Sequence, residues 1–481
     1  MIEKIKSLSK DTLIYGVNTI VGRFLGFFLV PFYTNKFLPE EYGIITIIYS
    51  YIAILNVFFS IGLESGFMKF SSTLEVGSKK ENFSNPYFIV LANSFFLSLL
   101  IYIFANELTG VFQVSSDYAY LIRYSAVILF FDTIVLIPFA YLRLKNKAKS
   151  FAGIKIINIT LNVILNVVLI LYYNFGIEAV FISNLISSAV TFFLLFPVLK
   201  DNITFKFNKE LIKELLRFSI PYIPAGIAAN LVQIIDRPIL KYLTNDETVG
   251  IYTANYKLGI FMMLIVSMFE FAWRPFFLNN AKEPEAKRIF SKVLTIFTAF
   301  SSMVFLVLTV LIENIVMWDL PFGSHLIGKA YWSGLEIVPV ILFGYLLYGM
   351  YINFMAGIYI EKKTKYLPVI TGIGAAVNVI SNFILIPEYS YMGAAISTLI
   401  SYFVMTAGIY TVSQRYYRIN YEYKKLISIF VILFSLTGIY LFVNVQYELI
   451  WFLKLIFPLS FIVIIYFFGI LNLKSFKEQN S

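Results

Sequence analysis

The apolar stretch TLIYGVNTIVGRFLGFFLVPFYTN, residues 12–35, decides how this chain folds. A helix rises about 1.5 Å per residue, so the stretch is long enough to cross the ~30 Å hydrocarbon core of a membrane. Three lysines precede it and one follows, which predicts a cytoplasmic N-terminus. Arg23 lies in its middle. Because an arginine at the membrane midplane costs about 2.5–3.5 kcal/mol, we expect its guanidinium to face a water-filled cavity and an anion.

The composition of the whole chain is that of a membrane protein. Of its 481 residues, 59% are hydrophobic and 14% are charged, whereas soluble domains carry about 25% charged residues. The chain has no cysteine, which excludes disulfides, thiolate metal sites and cysteine nucleophiles. Its single histidine, His325, is expected on the surface of a loop and argues against histidine metal sites and acid–base catalysis. We therefore expect no catalytic residue, metal or cofactor.

The rest of the chain divides into further apolar segments. About 14 spans are predicted, and an even number places both termini in the cytoplasm. Their approximate ranges are 12–35, 42–68, 86–106, 118–142, 151–173, 177–199, 218–242, 248–273, 293–315, 333–360, 366–386, 391–413, 426–444 and 449–471. Most of the 38 Lys and Arg residues fall in the predicted cytoplasmic loops, while acidic residues are spread evenly. The net charge of +10 therefore reflects membrane topology and anionic lipids, and not nucleic-acid binding.

The segments between the spans contain one helix of a different kind. In residues 203–218, Leu211 and Leu215 recur at helical spacing opposite Lys209 and Lys213. This pattern predicts an amphipathic helix at the cytoplasmic membrane surface, near the point where the chain divides into halves. No predicted outer loop is long enough for a soluble catalytic domain.

An internal repeat relates the two halves. KAKSFAGIKIINITLNVILN (147–166) aligns with KTKYLPVITGIGAAVNVISN (363–382), so that two asparagines spaced i, i+4 coincide in apolar helices. More weakly, FLPEEYG (37–43) parallels LTNDETVG (243–250). Both halves run in the same direction, as in the parallel class of transporter repeats, whose substrate site lies between the repeats.

These observations predict an all-α membrane protein with two pseudo-symmetric six-helix lobes around a central cavity. The N-lobe covers residues 1–200, and the C-lobe, with the amphipathic linker helix, covers 201–420. Two additional helices occupy 421–481. A cavity between repeats points to transport.

Short motifs in a fixed order complete this description: Gly22-Arg23, Phe37–Gly43, Gly62–Gly66, Asp236-Arg237, Val249–Tyr252, Ala272–Pro275, Lys362–Lys365, Asn378 with Asn382, and Gly393–Ile396. In these motifs and its predicted spans the chain resembles the polysaccharide-unit flippases, the Wzx-type exporters of O-antigen and capsule units. They belong to the multidrug/oligosaccharidyl-lipid/polysaccharide exporter (MOP) superfamily.

The resemblance implies a function in the bacterial cytoplasmic membrane. An undecaprenyl-diphosphate-linked oligosaccharide would move from the cytoplasmic to the outer leaflet by alternating access, without an enzymatic step. The implied partners are this lipid-linked oligosaccharide, membrane lipids, a polysaccharide polymerase and other assembly proteins.

Cations inside apolar spans are the leading substrate-binding candidates. One from each lobe, Arg23 and Lys257, would hold the diphosphate, the arginine as a planar fork and the lysine as a point charge. The alternative is that each pairs with a buried carboxylate or with helix-end carbonyls. Arg237 and Arg123 are further candidates, although Arg123 lies near a helix end and can extend to the surface. Asp236 adjoins Arg237, but neighbours on a helix point about 100° apart and need not pair.

Acidic residues in the spans are gating or ion-coupling candidates. Asp132 lies deepest, and Glu64 would close a cytoplasmic gate by pairing with Lys69 or Arg274. The remaining members of this set are Asp236, Glu270 and Arg274. The repeated asparagines are expected either to contact sugar or to form interhelical hydrogen bonds within each lobe: Asn162, Asn166, Asn378 and Asn382.

Two other functions remain open from the residues. A cation-coupled drug or metabolite antiporter of the same superfamily would favour a carboxylate cluster deep in the N-lobe, for which only Asp132 and Glu64 qualify. A membrane polysaccharide polymerase or ligase would need a large outer loop carrying catalytic residues. Arg23 favours an anionic substrate and hence the flippase.

Overall fold

The chain folds almost entirely into helices. A computed structural model describes residues 27–320, 323–447 and 449–470, so Arg23 lies outside the described residues. Three segments, Ser116–Tyr118, Lys257–Gly259 and Lys329–Ile337, are 3₁₀ helices. The α-helices and the two strands, in chain order, are α1 (27–36), α2 (Pro39–Ser60), α3 (Leu63–Thr73), α4 (Lys79–Ile103), α5 (Ala105–Phe112), α6 (Ala119–Ile134), α7 (Leu136–Leu144), α8 (Ala148–Leu171), α9 (Glu178–Asn202), α10 (Lys209–Ser219), α11 (Tyr222–Ile234), α12 (Asp236–Leu243), α13 (Asp246–Tyr256), α14 (Ile260–Asn280), α15 (Ala286–Val316), β1 (Asp319–Leu320), β2 (Ser324–His325), α16 (Val338–Ile360), α17 (Tyr366–Tyr416), α18 (Tyr423–Tyr447), α19 (Trp451–Lys454) and α20 (Ile456–Phe467).

The helices account for the predicted membrane spans. Within the described residues, 11 helical stretches are long and apolar enough to cross a membrane. One of them, α17, contains two helices, because Ser390 has φ 51° and ψ −131° and interrupts the helical backbone. The segment Trp451–Phe467 is apolar but shorter. These stretches coincide with the predicted spans from 42–68 onward, so the all-α, multi-pass fold class is confirmed.

The chain divides into two compact units, residues 1–253 and 254–481. The boundary follows packing and falls inside α13, whereas the predicted lobes follow the sequence repeat. The lobes and their boundaries at 200 and 420 stay a prediction.

The amphipathic helix α10 packs on protein in the first unit. Leu211 and Leu215 are fully buried and join a cluster with Leu63, Phe67 and Phe83 of α3 and α4. Burying a leucine side chain contributes about 1.5–3 kcal/mol, so this face holds α10 against its neighbours. The apolar stripe that predicted a membrane-surface helix therefore contacts other helices.

The second unit contains the short β1–β2 hairpin, in which Asp319 pairs with His325 in antiparallel register. His325 is buried, and its ring packs edge-on against Trp332 at a centroid distance of 5.2 Å. The prediction of an exposed loop histidine is wrong, because the hairpin folds the ring against the following 3₁₀ segment.

The repeated asparagines make the same hydrogen bonds in both halves. Asn166 Nδ2 donates to the Asn162 carbonyl at 2.8 Å and to Asn162 Oδ1 at 3.2 Å. Asn382 Nδ2 donates to the same two atoms of Asn378, both at 2.9 Å. Each pair thus forms its hydrogen bonds within one apolar helix, α8 or α17, which gives the matched asparagines a structural role.

Candidate functional site

A helix break in the first unit, directly after the candidate span Lys209–Ile234, carries the adjacent charges Asp236 and Arg237. It separates α11 from α12. Arg237 Nη1 lies 3.2 Å from Asp236 Oδ1 and donates to the Gln233 carbonyl at 2.7 Å. Tyr252 donates its hydroxyl proton to the other carboxylate oxygen of Asp236. Asp236 is 2% exposed and Arg237 9% exposed. The sequence left open whether these neighbours pair; they do, because the guanidinium folds back along its own helix.

A second break, in the second unit, leaves its cation exposed. The 3₁₀ turn Lys257–Gly259 separates α13 from α14 within the candidate span Asp246–Asn280. Lys257 is exposed, while the following Leu258 and Gly259 are buried. Gly259 packs closely, since a Cβ there would lie 2.7 Å from Ile341 Cγ2. Interrupted helices of this kind form substrate and ion sites in transporters.

Asp132 lies in a polar network of the first unit, formed by Tyr49, Asp132, Lys155, Asn184 and Ser188, on α2, α6, α8 and α9. We call this the Asp132 network. Ser188 Oγ donates to Asp132 Oδ1 at 2.6 Å, and Asn184 Nδ2 donates to the Tyr49 hydroxyl at 2.9 Å. The ammonium of Lys155 attracts the Asp132 carboxylate. Polar groups from four helices thus meet in one network of the first unit.

Of this network, only Asp132 is a candidate from the sequence. Its signal on α9 was a polar stripe at helical spacing, in which Asn184, Ser188 and Thr191 follow one another at four and three residues. Lys155 was not among the predicted candidates. Nothing in the sequence around Lys155 indicates that this residue of α8 lies close to Asp132 of α6.

Glu64 pairs with Arg143 of α7, and not with Lys69 or Arg274 as predicted. Lys69 instead lies over the rings of Phe70 and Phe218, 4.7 Å from each centroid. These ring contacts are cation–π interactions, which take the place of the predicted ion pair.

The Glu64–Arg143 pair is electrostatically linked to the Asp132 network, because the guanidinium of Arg143 repels the ammonium of Lys155. Two neighbouring cations, Arg143 and Lys155, thus lie between the carboxylates of Glu64 and Asp132.

Arg123, Glu270 and Arg274 have local partners. Arg123 donates to Asn106 Oδ1 at 3.1 Å, near the end of α5. Arg274 lies 3.3 Å from Glu270 one turn earlier on α14, and 3.4 Å from the Tyr359 hydroxyl. Both members of the Glu270–Arg274 pair are partly exposed. These contacts leave Glu270 and Arg274 accessible on α14 and hold Arg123 to its neighbour.

Three of the four repeated asparagines are withdrawn from any ligand in this structure. Asn166, Asn378 and Asn382 are fully buried, whereas Asn162 is half-buried. Asn166 also accepts a hydrogen bond from the Tyr33 hydroxyl at 2.8 Å. Across the part of the chain that the structure describes, no group of three or more His, Asp or Glu residues is arranged to hold a metal ion.

Known proteins share both the sequence pattern and the fold. A family model described as polysaccharide biosynthesis protein matches residues 37–324. The Lsg locus putative protein 1 of Haemophilus influenzae is 21% identical over 356 residues, which cover 70% of this chain and 84% of that protein. The structure of the lipid II flippase MurJ in its inward closed conformation aligns with a TM-score of 0.77 and 17% identity, over 96% of this chain and 100% of that one. An inward-facing multidrug resistance MATE family transporter of the MOP superfamily aligns with a TM-score of 0.61 and 14% identity, over 82% and 94% of the two chains.

Proposed function

Because the chain belongs to the family of polysaccharide biosynthesis proteins, we propose that it moves an undecaprenyl-diphosphate-linked oligosaccharide across a bacterial cytoplasmic membrane. It is a multi-pass membrane protein with the fold of MOP superfamily flippases and transporters. The proposed direction is from the cytoplasmic to the outer leaflet, by alternating access, with both termini in the cytoplasm. A polysaccharide polymerase is the proposed consumer of the exported unit.

The observation that carries this proposal is Lys257, an exposed cation at a helix break within a candidate span. An exposed ammonium inside an apolar segment is costly unless an anion or water meets it. A lipid diphosphate supplies such an anion, and hydrogen bonds between charged groups are shorter and stronger than neutral ones. Arg23, which lies outside the described residues, is the proposed second cation.

We propose that the Asp132 network couples transport to a cation. The Asp132 carboxylate accepts a hydrogen bond from Ser188 and is attracted by Lys155. We infer that it exchanges these partners when the helices shift. A proton or metal cation that neutralises Asp132 would release Lys155, whose charge then lies next to Arg143. The resulting repulsion between two cations favours a different helix arrangement.

The test is a flipping assay in liposomes. Purified protein is reconstituted with a fluorescent undecaprenyl-diphosphate oligosaccharide, and exposure of the label in the opposite leaflet is followed with a membrane-impermeant quencher. The variants are Lys257→Ala, Arg23→Ala and the conservative Lys257→Arg. Lys329→Ala is the matched control, because Lys329 is also an exposed lysine that begins a 3₁₀ segment of the second unit.

We expect Lys257→Ala and Arg23→Ala to slow flipping about 10- to 100-fold, since hydrogen bonds to charged groups contribute about 1.5–3 kcal/mol. Lys257→Arg should retain most of the activity, and Lys329→Ala should match the wild type. Flipping at the wild-type rate in both Lys257→Ala and Arg23→Ala would contradict the proposed cationic site. Absence of flipping, together with gradient-driven efflux of a small cation that Asp132→Asn abolishes, would favour the antiporter.

A further inference from the structure

A basic pocket of the second unit lies at the ends of candidate membrane spans. Its volume is about 800 Å³, and it opens where α15 begins at Ala286 and where the segment after α17 leads into α18. The lining residues are Pro284, Glu285, Lys287, Arg288, Ser291, Lys292, Arg418, Asn420 and Glu422. We call it the α15 pocket. The ends of membrane-spanning helices lie at the level of lipid head groups, so the pocket is placed at a membrane surface.

Several charges of the α15 pocket are already matched within the protein. Arg288 pairs with Glu285 at 3.0 Å, and Glu422 accepts from Lys425 at 2.7 Å and from Thr295 Oγ1 at 2.8 Å. Partial burial by itself would raise the pKa of Glu422, but the hydrogen bonds from Lys425 and Thr295 outweigh it and lower that pKa. Glu422 is therefore ionised at neutral pH and neutralised by its own partners.

The other cations of the pocket have no such match. Among the described residues, no carboxylate lies within ion-pairing distance of Lys292 or Arg418, although Glu422 attracts Lys292 from farther away. Lys287 lies over the Tyr417 ring at 4.8 Å, a contact that leaves its charge in place. The pocket thus has an excess of positive charge, concentrated on α15 and the segment between α17 and α18.

A buried polar group in the pocket lacks a partner. Ser291 lines the pocket, is 3% exposed, and its Oγ forms no hydrogen bond within the described part of the chain. Buried hydroxyl groups almost always find a partner, and an orphan at a site calls for one. The N-terminal turn of α15, where the helix dipole is positive, lines the same pocket through Lys287 and Arg288.

We propose that the α15 pocket binds a phosphate group, held by Lys292, Arg418 and Lys287, with Ser291 as a hydrogen-bonding partner. The phosphate belongs either to the head group of an anionic membrane lipid or to a soluble phosphorylated compound. Basic pockets between membrane helices bind anionic head groups in this way. Lys257 does not line this pocket, and the whole of α14 separates the two along the chain, so the proposed role is to anchor or regulate the second unit.

The test measures binding and does not depend on transport. Purified full-length protein in neutral detergent is titrated with three probes: phosphatidylglycerol, inorganic phosphate and phosphatidylcholine. Native mass spectrometry counts bound lipid, and the ligand-induced rise in thermal midpoint reports inorganic phosphate. The variant is Lys292→Gln/Arg418→Gln. The matched control is Lys282→Gln/Lys424→Gln, which removes the same charge from exposed lysines that do not line the pocket.

We expect the pocket variant to weaken binding about tenfold or more, since each basic residue near a surface contributes about 1 kcal/mol toward an anionic group. The control should change it less than about twofold. Glu285→Gln, which releases Arg288 from its pair, should strengthen binding. Loss confined to phosphatidylglycerol identifies a lipid head group, and loss confined to inorganic phosphate identifies a soluble ligand. Equal loss in the pocket and control variants, or no binding of either phosphate probe by folded wild type, would overturn the proposal.

Discussion

Each of the two helix breaks carries a cation, but the cation is buried at one break and exposed at the other. Between α11 and α12, Arg237 is closed off by Asp236, and Tyr252 completes the carboxylate's hydrogen bonds. Between α13 and α14, Lys257 is exposed on a 3₁₀ turn. The cation of the first break is thus buried against an acid, whereas the cation of the second break is exposed. Position in an apolar span alone does not separate these two cases.

The largest predicted effect is a loss of stability at the break between α11 and α12, where Asp236 pairs with Arg237. We call it the closed break. Arg237→Ala leaves the Asp236 carboxylate buried with Tyr252 as its remaining side-chain partner, and breaking a buried ion pair costs about 3–5 kcal/mol. We expect a large drop in the thermal unfolding midpoint in detergent, followed by tryptophan fluorescence. Lys257→Ala is the comparison and should change stability by less than about 0.5 kcal/mol. Similar losses in both variants would show that the two breaks do not differ as described.

A smaller effect is predicted where α13 meets α2 inside the first unit. A Cβ at Gly250 would lie 1.9 Å from the Pro39 carbonyl oxygen, so Gly250→Ala must push the two helices apart. Overpacking of this kind costs about 1–3 kcal/mol. Because α13 also carries Tyr252, the shift should weaken the hydrogen bond from Tyr252 to Asp236 at the closed break. The stability losses of Gly250→Ala and Arg237→Ala should therefore sum to less than additivity predicts.

The matched control for this substitution is Gly372→Ala in α17. Nothing lies within 4 Å of a Cβ built there, so alanine should be neutral or stabilising in the same thermal assay. A Gly250→Ala protein as stable as the control would contradict the close helix contact.

The smallest effect concerns the Glu64–Arg143 pair, whose side chains are 37% and 38% exposed. Solvent screens a pair at this exposure, so Glu64→Gln should cost less than about 1 kcal/mol. The stability lost in Glu64→Gln should be larger at low salt, because the repulsion between Arg143 and Lys155 is then less screened and Glu64 no longer offsets the charge of Arg143. A double-mutant cycle with Arg143→Gln, measured by thermal unfolding at two salt concentrations, isolates the pair. A loss that does not depend on salt would contradict an electrostatic origin.

The sequence identified most charged positions of the candidate site but few of their partners. Asp132, Glu64 and Lys257 are conspicuous because ionisable residues in apolar helices are rare and costly. Ser188, which binds Asp132, is 56 residues away along the chain. The repeated asparagines were found by pattern. Interhelical hydrogen bonds were expected of them, and Asn166 accepts one from Tyr33, but the bonds that both pairs share lie within a single helix. The α15 pocket gave no motif, since its residues come from two separate segments.

Hydropathy, periodicity and charge bias are local properties, and they determined the all-α multi-pass fold, the span positions, the repeat and the charged candidates without reference to packing. Only the tertiary structure decided which charges are closed by a partner. It turned Arg237 onto Asp236, paired Glu64 with Arg143, buried His325 and left Lys292 and Arg418 around a pocket. The reason is distance: an ion pair forms only within about 4 Å, and helix packing sets which residues of distant segments come that close.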